Sequence, residues 1–393
     1  MAVNTMTFNQ LATVLASITS QATGKTALTA TDDASFVSVA KTALEAGYDP
    51  LSTAISQVLS KTIFSVRPYT RKFKGLEMDS VQYGNHVRKI NYVDKPFEED
   101  DRIKLADGYS IDPYVVNKPS VIQTNFYGEN VFQKSLTIYR DQLDCAFSGP
   151  EEFQRFLAGY MQNAQDMIEQ ARENTARATL ANLMGAHIAL DAASATTGCV
   201  CHLITEYNAY SGDSVTPQTV FNPAVFPDFA KWLYGRIKTL SKLLQERSVE
   251  HHLNFTAGDI LRHTPVQDQR LFMLGGTADQ VGTNVLSTLY NEEYMKLLPY
   301  EEVMFWQSLQ SPDALKITAG YTAADGSATS ASVDKTGVFG ILMDREAAGV
   351  TMINEWSANT PMNARAGYFN TFYHFTYRYF VDVSEQAIVL MLD

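Results

Sequence analysis

Cys199, Cys201 and His202 come nearest to a metal-ligand set in this chain of 393 residues, because thiolates and imidazoles at short spacing bind zinc. The C-x-C-H string lacks the usual gap of about two to four residues, and no second pair follows at a suitable distance, so the three read as structural side chains. His251 and His252 are adjacent and would point to opposite faces of a regular strand; they read as turn residues before Gly258. Gly24, Lys25 and Thr26 resemble the end of a phosphate loop, but Thr19 stands where its first glycine is needed and no buried strand leads in. That match reads as chance. No G-x-S-x-G, H-E-x-x-H or G-x-G-x-x-G string occurs, and seven histidines offer little material for a site assembled across the fold. The sequence therefore points to no catalytic residue, metal or cofactor.

The remaining candidates are charged or aromatic. Lys61, Arg67, Arg71, Lys72 and Lys74 form a cationic run without an intervening acid, which reads first as a solvated stretch before a strand and second as a contact to a neighbouring subunit. Arg345 and Glu346 read as a strand-end ion pair and Trp356 as an aromatic core plug. Arg365 lies in a turn, and Arg378 on the polar face of an aromatic strand. Formal charge is −12, from 43 acidic against 31 basic residues, so the chain as a whole should not adhere to nucleic acid by neutralising phosphates. The three cysteines are too few for a disulfide framework and suggest a reducing compartment. Leu11 to Ile18 reads as part of an amphipathic helix rather than a secretion signal, since no Lys or Arg precedes Lys25. At 45% hydrophobic and 19% charged, the chain has the composition of a well-cored soluble protein.

The elements that would hold these residues follow from periodicity. Residues 1–74 carry helix-spaced apolar sets at Phe8, Leu11, Leu15 and Ile18, then at Phe36, Val39, Ala40 and Ala43, each too small to form a core alone. Two strand-like runs between Tyr83 and Tyr127 flank a charged section, predicting a hairpin with about eleven residues per arm, nearly 40 Å long. Such a ribbon is not stable alone in water. Pro119 marks its second strand as an edge. Ser148 and Glu151 offer a capping box for a helix with one apolar stripe through Phe153, Leu157, Tyr160, Ala164, Ile168, Ala171, Thr175 and Ala178, ending near residue 186. At about 1.5 Å per residue it would reach about 55 Å, against a radius of gyration of about 21 Å for a compact ball of this size. The molecule is expected to be elongated or plate-like. Glu169 with Arg172, and Glu173 with Arg177, fall at helical pairing distances.

Residues 191–218 read as turn-rich, followed by a helix capped by Asn222 with Phe226, Phe229, Ala230, Leu233, Ile237, Leu240 and Leu244 on one face. RLFMLG reads as a buried strand, TNVLSTLYNEEYMKLL as a helix, EEVMFWQSL as a strand, and residues 319–335 as a surface loop. At the C-terminus Tyr373, Phe375, Tyr377 and Tyr379 alternate with polar residues, the mark of a strand with one buried face. Ala387 to Leu392 suit a strand buried on both faces and are too few to cross a bilayer, which takes about 20 residues.

In this order the arm, hairpin, long helix, mixed sheet and returning strands resemble the major capsid protein of tailed bacteriophages. GVFGILMDREAAGVTMINEWSANTPMNARAGYFNTFYHFTYRYFVDVSEQAIVLML is similar to the closing region of podovirus-like shell proteins, and DQRLFMLGG to their central domain. The resemblance implies an α+β fold with an N-terminal arm (1–74), an extended β-hairpin loop (75–130), a peripheral domain with a long spine helix (131–190 and 345–380), and an axial domain with a central mixed sheet (191–344 and 381–393). It implies a non-enzymatic subunit that assembles through hexamers and pentamers into an icosahedral virion capsid around double-stranded DNA, in the host bacterial cytoplasm. Portal and scaffolding proteins would be partners; membrane would not. Candidate intersubunit contacts are then Arg67, Arg71, Lys72, Lys74, Glu98, Glu99, Asp100, Asp101, Arg102, Lys104, Arg365 and Arg378. Some members crosslink a loop lysine to a neighbour, for which Lys95, Lys104 and Lys118 lie in the right region, although solvated lysines explain them with less. Two alternatives stay open: an encapsulin-like compartment shell and a soluble metal-dependent hydrolase.

Overall fold

The computed structural model describes residues 7–24, 28–59, 72–78, 87–93, 98–104, 106–114, 116, 118, 120–256, 258–275 and 300–393. The predicted helix TNVLSTLYNEEYMKLL, the cations Lys61, Arg67 and Arg71, and Lys25, Thr26, Lys95 and Pro119 lie outside the described residues.

Helices α1 (Phe8–Thr23), α2 (Asp33–Glu45) and α3 (Tyr48–Leu59) open the chain. The apolar sets expected for α1 and α2 are correct in position; α3 has no counterpart in the sequence reading. Leu15, Ile18, Phe36, Ala40, Leu51 and Ile55 bury against one another and against Phe147, Phe153, Ile138 and Phe369 of the same chain. Three stripes, each too small for a core, merge into one.

The hairpin pairs β1 (Val87–Tyr92) with β2 (Val121–Phe126) in antiparallel register from Val87 opposite Phe126 to Tyr92 opposite Val121. Among the described residues its paired part is six residues per strand, about 20 Å at ~3.4 Å per residue. Beyond Tyr92 the Val93 N–H still bonds the Ser120 carbonyl at 3.0 Å, and no further ladder forms among the described residues of the charged section.

Strand β3 (Glu129–Tyr139) follows at once and pairs with β11 (Tyr368–Val381), which pairs with β10 (Ala348–Asn359), giving the sheet order β10-β11-β3. Gly128 makes the corner possible: a Cβ there would sit 2.5 Å from the Tyr379 carbonyl oxygen. The inner face of this sheet carries Tyr373, Phe375 and Tyr377, buried as the alternation predicts, together with Phe369, while Tyr379, expected with them, is only partly buried. Arg378 is a correction, because its side chain is only 7% exposed and lies 3.7 Å from Glu129 rather than on an open polar face.

Helix α4 (Arg140–Ala146) leads into α5 (Pro150–Ala192), 43 residues and about 64 Å at ~1.5 Å per residue. Its N-cap is Gly149, with Pro150 in the first turn where a missing N–H costs nothing. Ser148 does not cap α5; its hydroxyl donates to the Cys145 carbonyl. The single stripe does not run to the end of the helix, and Ala178 is exposed. From Thr179 to Ile188 the helix is buried almost all round, because it passes between the central sheet and a hairpin made of β7 (Leu315–Thr322) and β8 (Ala328–Lys335). Residues 319–335, expected as a loop, supply most of that hairpin.

The central sheet has the order β4-β12-β9-β5-β6, from β4 (Val200–His202), β12 (Ala387–Met391), β9 (Val338–Asp344), β5 (Gln269–Leu274) and β6 (Tyr300–Val303). It is mixed: β4 with β12 and β5 with β6 are parallel, the other pairs antiparallel. All of β9 and β12 is buried, as strands covered on both faces must be. One face meets α5; the other meets α6 (Leu203–Ser211) and α7 (Phe226–Leu243), whose predicted apolar face is buried. Strand β4 and α6 fall in the stretch expected to be turn-rich. The EEVMFWQSL strand stops at Val303, after which Trp306 is buried and donates its indole N–H to the Val338 carbonyl.

Candidate assembly surfaces

The chemical candidates resolve into structure. Cys199 and Cys201 are buried and free, and burial pushes both thiols up to about 12, which makes them inert at neutral pH. His202 bonds Asp393 at 2.7 Å and Asp191 at 3.4 Å. His251 takes a left-handed φ of 67° and bonds the Gly198 carbonyl, while His252 bonds the carbonyls of Glu250 and Ile260. Among the described residues no group of three or more His, Cys, Asp or Glu could hold a metal ion, and no helix is long and apolar enough to cross a membrane.

The predicted contact residues do not converge on one place. At the far end of the hairpin Glu98, Glu99, Asp100, Asp101 and Arg102 are exposed, and Asp100 accepts from Arg102 at 2.8 Å, a bond that holds its carboxyl below the usual range. Of Lys104 only the backbone is described, in a short 3₁₀ turn. Lys72 donates its backbone N–H to Glu173 on α5, and Lys74 is exposed. Arg365 is exposed in the β10–β11 turn, its N–H bonded to Asn363. Arg345 faces Asp268 at 3.6 Å and Glu346 faces Lys89 at 3.8 Å, so both form strand-end ion pairs, with other partners than each other.

One apolar patch and one uncharged, mostly polar face emerge that charge reading missed. The first is the hairpin's distal part, where Ile103, Tyr114 and Val116 are 79%, 86% and 77% exposed, with Tyr109 and Ile111 also open. The second is the outer face of the β10-β11-β3 sheet. Its rows run Val131, Thr376, Asn354; Gln133, His374, Trp356; Ser135, Phe372, Ala358; then Thr137 with Asn370 and Tyr139 with Tyr368. None of these residues is charged; the next row on this face, Glu129 with Arg378, closes it with an ion pair. Trp356, expected as a core plug, is 50% exposed here. The period-two pattern marks which residues share this face; the missing charges along it were the signal that could have found the surface.

A long helix crossing beneath a three-stranded sheet, a projecting hairpin and a mixed sheet between helices is the architecture of tailed-phage capsid proteins. The capsid structure of Staphylococcus phage Andhra matches with a TM-score of 0.50 at 10% identity, over 84% of this chain and 87% of that one. The capsid structure of cyanophage P-SCSP1u is a looser likeness, TM-score 0.46 and 12% identity over 84% and 92%. No curated protein matches. The sequence profile of the Phi29-like phage major capsid protein family matches residues 14–391, and the chain belongs to that family. It is a structural subunit of a capsid shell, associates with copies of itself and resides in the virion. Neither the compartment nor the hydrolase alternative gains support.

Proposed function

We propose that this subunit closes an icosahedral shell through hexamers and pentamers, and that the distal hairpin of one copy lies on the outer sheet face of the next. The observation that carries the reading is the set of bared apolar side chains at Ile103, Tyr109, Tyr114 and Val116, which a monomer would keep in water at a cost of about 25 cal/mol per Å² of apolar surface. The uncharged face around Trp356 and Phe372 offers matching chemistry without stranding a buried charge. Interfaces of permanent assemblies commonly exceed ~2,000 Å², and ring closure requires such head-to-tail contacts.

The shell encloses double-stranded DNA without sequence-specific binding, since a net charge of −12 keeps packaged phosphates from adhering. The subunit itself carries no catalytic activity, and portal and scaffolding proteins join it during assembly in the host cytoplasm. The segments 1–74, 75–130, 131–190 with 345–380, and 191–344 with 381–393 serve as arm, extended loop, peripheral and axial domains. Negative-stain imaging of the expressed protein tests the reading: closed particles are the expected result, and a monodisperse monomer at high concentration overturns it.

A further inference from the structure

The hairpin is fastened to the body by charge. Lys89, in the middle of β1, places its ammonium 3.0 Å from the Asp382 carboxylate and in contact with that of Glu385, with only 16% of its side chain exposed. Arg262 reaches the same Glu385 at 2.9 Å and donates to the Ser384 carbonyl at 3.1 Å. Ser384 in turn donates its hydroxyl and its N–H to Asp382, at 2.6 and 2.9 Å, fixing that carboxylate. Glu346 stands at the rim, 3.8 Å from Lys89 and largely exposed. Two cations face two buried anions, so the cluster is balanced.

Its location matters as much as its charge. Asp382 and Glu385 lie in the turn joining β11 of the outer sheet to β12 of the central sheet, and Glu346 lies in the turn joining β9 to β10. One ammonium on the hairpin therefore touches both of the short turns that join the two sheets, β9 to β10 and β11 to β12. Among the described residues of the hairpin Asn91 and Thr124 are also buried polar groups, and at the root Phe126 packs on Phe380, centroids 5.4 Å apart. A seam meant only for cohesion would be apolar, because a buried ion pair adds little net stability over a hydrophobic replacement; what it adds is a defined geometry.

We propose that Lys89 is the positioning residue that sets the angle at which the hairpin leaves the body, and hence where its apolar tip meets the next subunit. The second half of this statement rests on the shell reading; the first half does not. The test uses the full chain below its assembly concentration, with Cys145 replaced by Ser and spin labels on Ser120→Cys in the hairpin and Ser330→Cys in β8. The unsubstituted root should give one narrow distance distribution. Lys89→Met should broaden and shift it, and Lys89→Arg, which keeps the charge, should restore it. Lys89→Met combined with Glu385→Gln removes one charge of each sign and keeps the cluster balanced. It should fold even if the single variant does not, and should still show the broadened distribution. A distribution as narrow and as centred as the parent's in either variant overturns the proposal. Imaging then separates the two claims: Lys89→Met should assemble into open or irregular sheets where the parent closes. If the parent itself forms no shell, the shell reading fails while the distance measurement still decides the role of Lys89.

Discussion

Trp356 lies flat on His374, ring centroids 3.9 Å apart and planes 12° from parallel, on the solvent side of the outer sheet. The pair sits at a register position where β10 and β11 residues directly oppose each other, and such aromatic contacts add about 0.5–1.5 kcal/mol beyond their buried area. A half-exposed tryptophan is an expensive ornament for a monomer and a natural anchor for an interface. Trp356→Ala should lower the stability of the isolated subunit by no more than about 1 kcal/mol yet abolish particle formation. Urea unfolding and sedimentation of the same preparation separate the two effects. Normal particles from this variant would exclude the sheet face as a subunit contact.

Arg177 illustrates the opposite case, a charge that serves the fold. Its guanidinium stacks between the rings of Phe73 and Phe305, 5.3 and 3.9 Å from their centroids, and binds the buried Glu173 at 2.6 Å. Removing it leaves a carboxylate facing a low-dielectric interior. Arg177→Ala should cost about 3–5 kcal/mol in urea unfolding. Arg177→Lys should recover only part of that, since an ammonium cannot stack as a planar guanidinium does.

Where side-chain period and burial agree, the fold was legible: α7, β9, β11 and β12 follow directly from Phe226 to Leu244 and from Val338 to Leu392. The Glu169–Arg172 and Glu173–Arg177 pairs were legible for the same reason, helical spacing. The hairpin of β7 and β8 was not, because from Ala328 to Ser332 both faces of β8 carry only small or polar side chains and Val333 is its one buried apolar residue. Helices α1 and α2 were seen singly and α3 not at all, and their shared core depends on Phe153 and Phe369, which lie far away in sequence. Nothing in the run Val87 to Val93 sets Lys89 apart from an ordinary surface cation. Its partners Asp382 and Glu385 belong to a turn at the other end of the chain, and only topology brings them together.

Two titrations should tilt stability in the same direction. Burial pushes the Glu385 carboxyl up to about 7, against the pull of Lys89 and Arg262. Burial opposes charge on His202, but Asp393 and Asp191 outweigh it and leave its pKa above the ordinary value. Each group is thus more basic in the folded state than in the unfolded chain. The stabilisation is fully present below the unfolded value, about 4.3 for Glu and 6.5 for His, and is lost as pH rises through the folded one. The melting temperature of the subunit should therefore rise between pH 8 and pH 6, and Glu385→Gln should flatten that slope. Asp382 works in another window: burial raises its pKa but Lys89 and Ser384 lower it further, so its contribution disappears only as pH falls through its depressed value. An unchanged slope in Glu385→Gln would contradict the assignment.

Phe73 combines a wholly buried ring with a left-handed backbone, φ 64° and ψ 32°. Its ring packs on Phe272, centroids 5.8 Å apart, and beneath Arg177, while its N–H bonds Glu301, so packing holds a conformation that L-residues avoid. That conformation costs roughly 1–2 kcal/mol for any residue with a Cβ, and glycine escapes it at an entropic cost of about 0.5–1 kcal/mol relative to alanine. Phe73→Ala should lose about 3–5 kcal/mol through the cavity it leaves. Phe73→Gly removes one more carbon and would be the worse variant in ordinary extended or helical backbone. Here it should be at least as stable as Phe73→Ala in urea unfolding, because relief of the left-handed strain offsets the extra freedom of the unfolded chain. A glycine variant clearly below the alanine variant would show that the strain at Phe73 does not enter the stability of the native state.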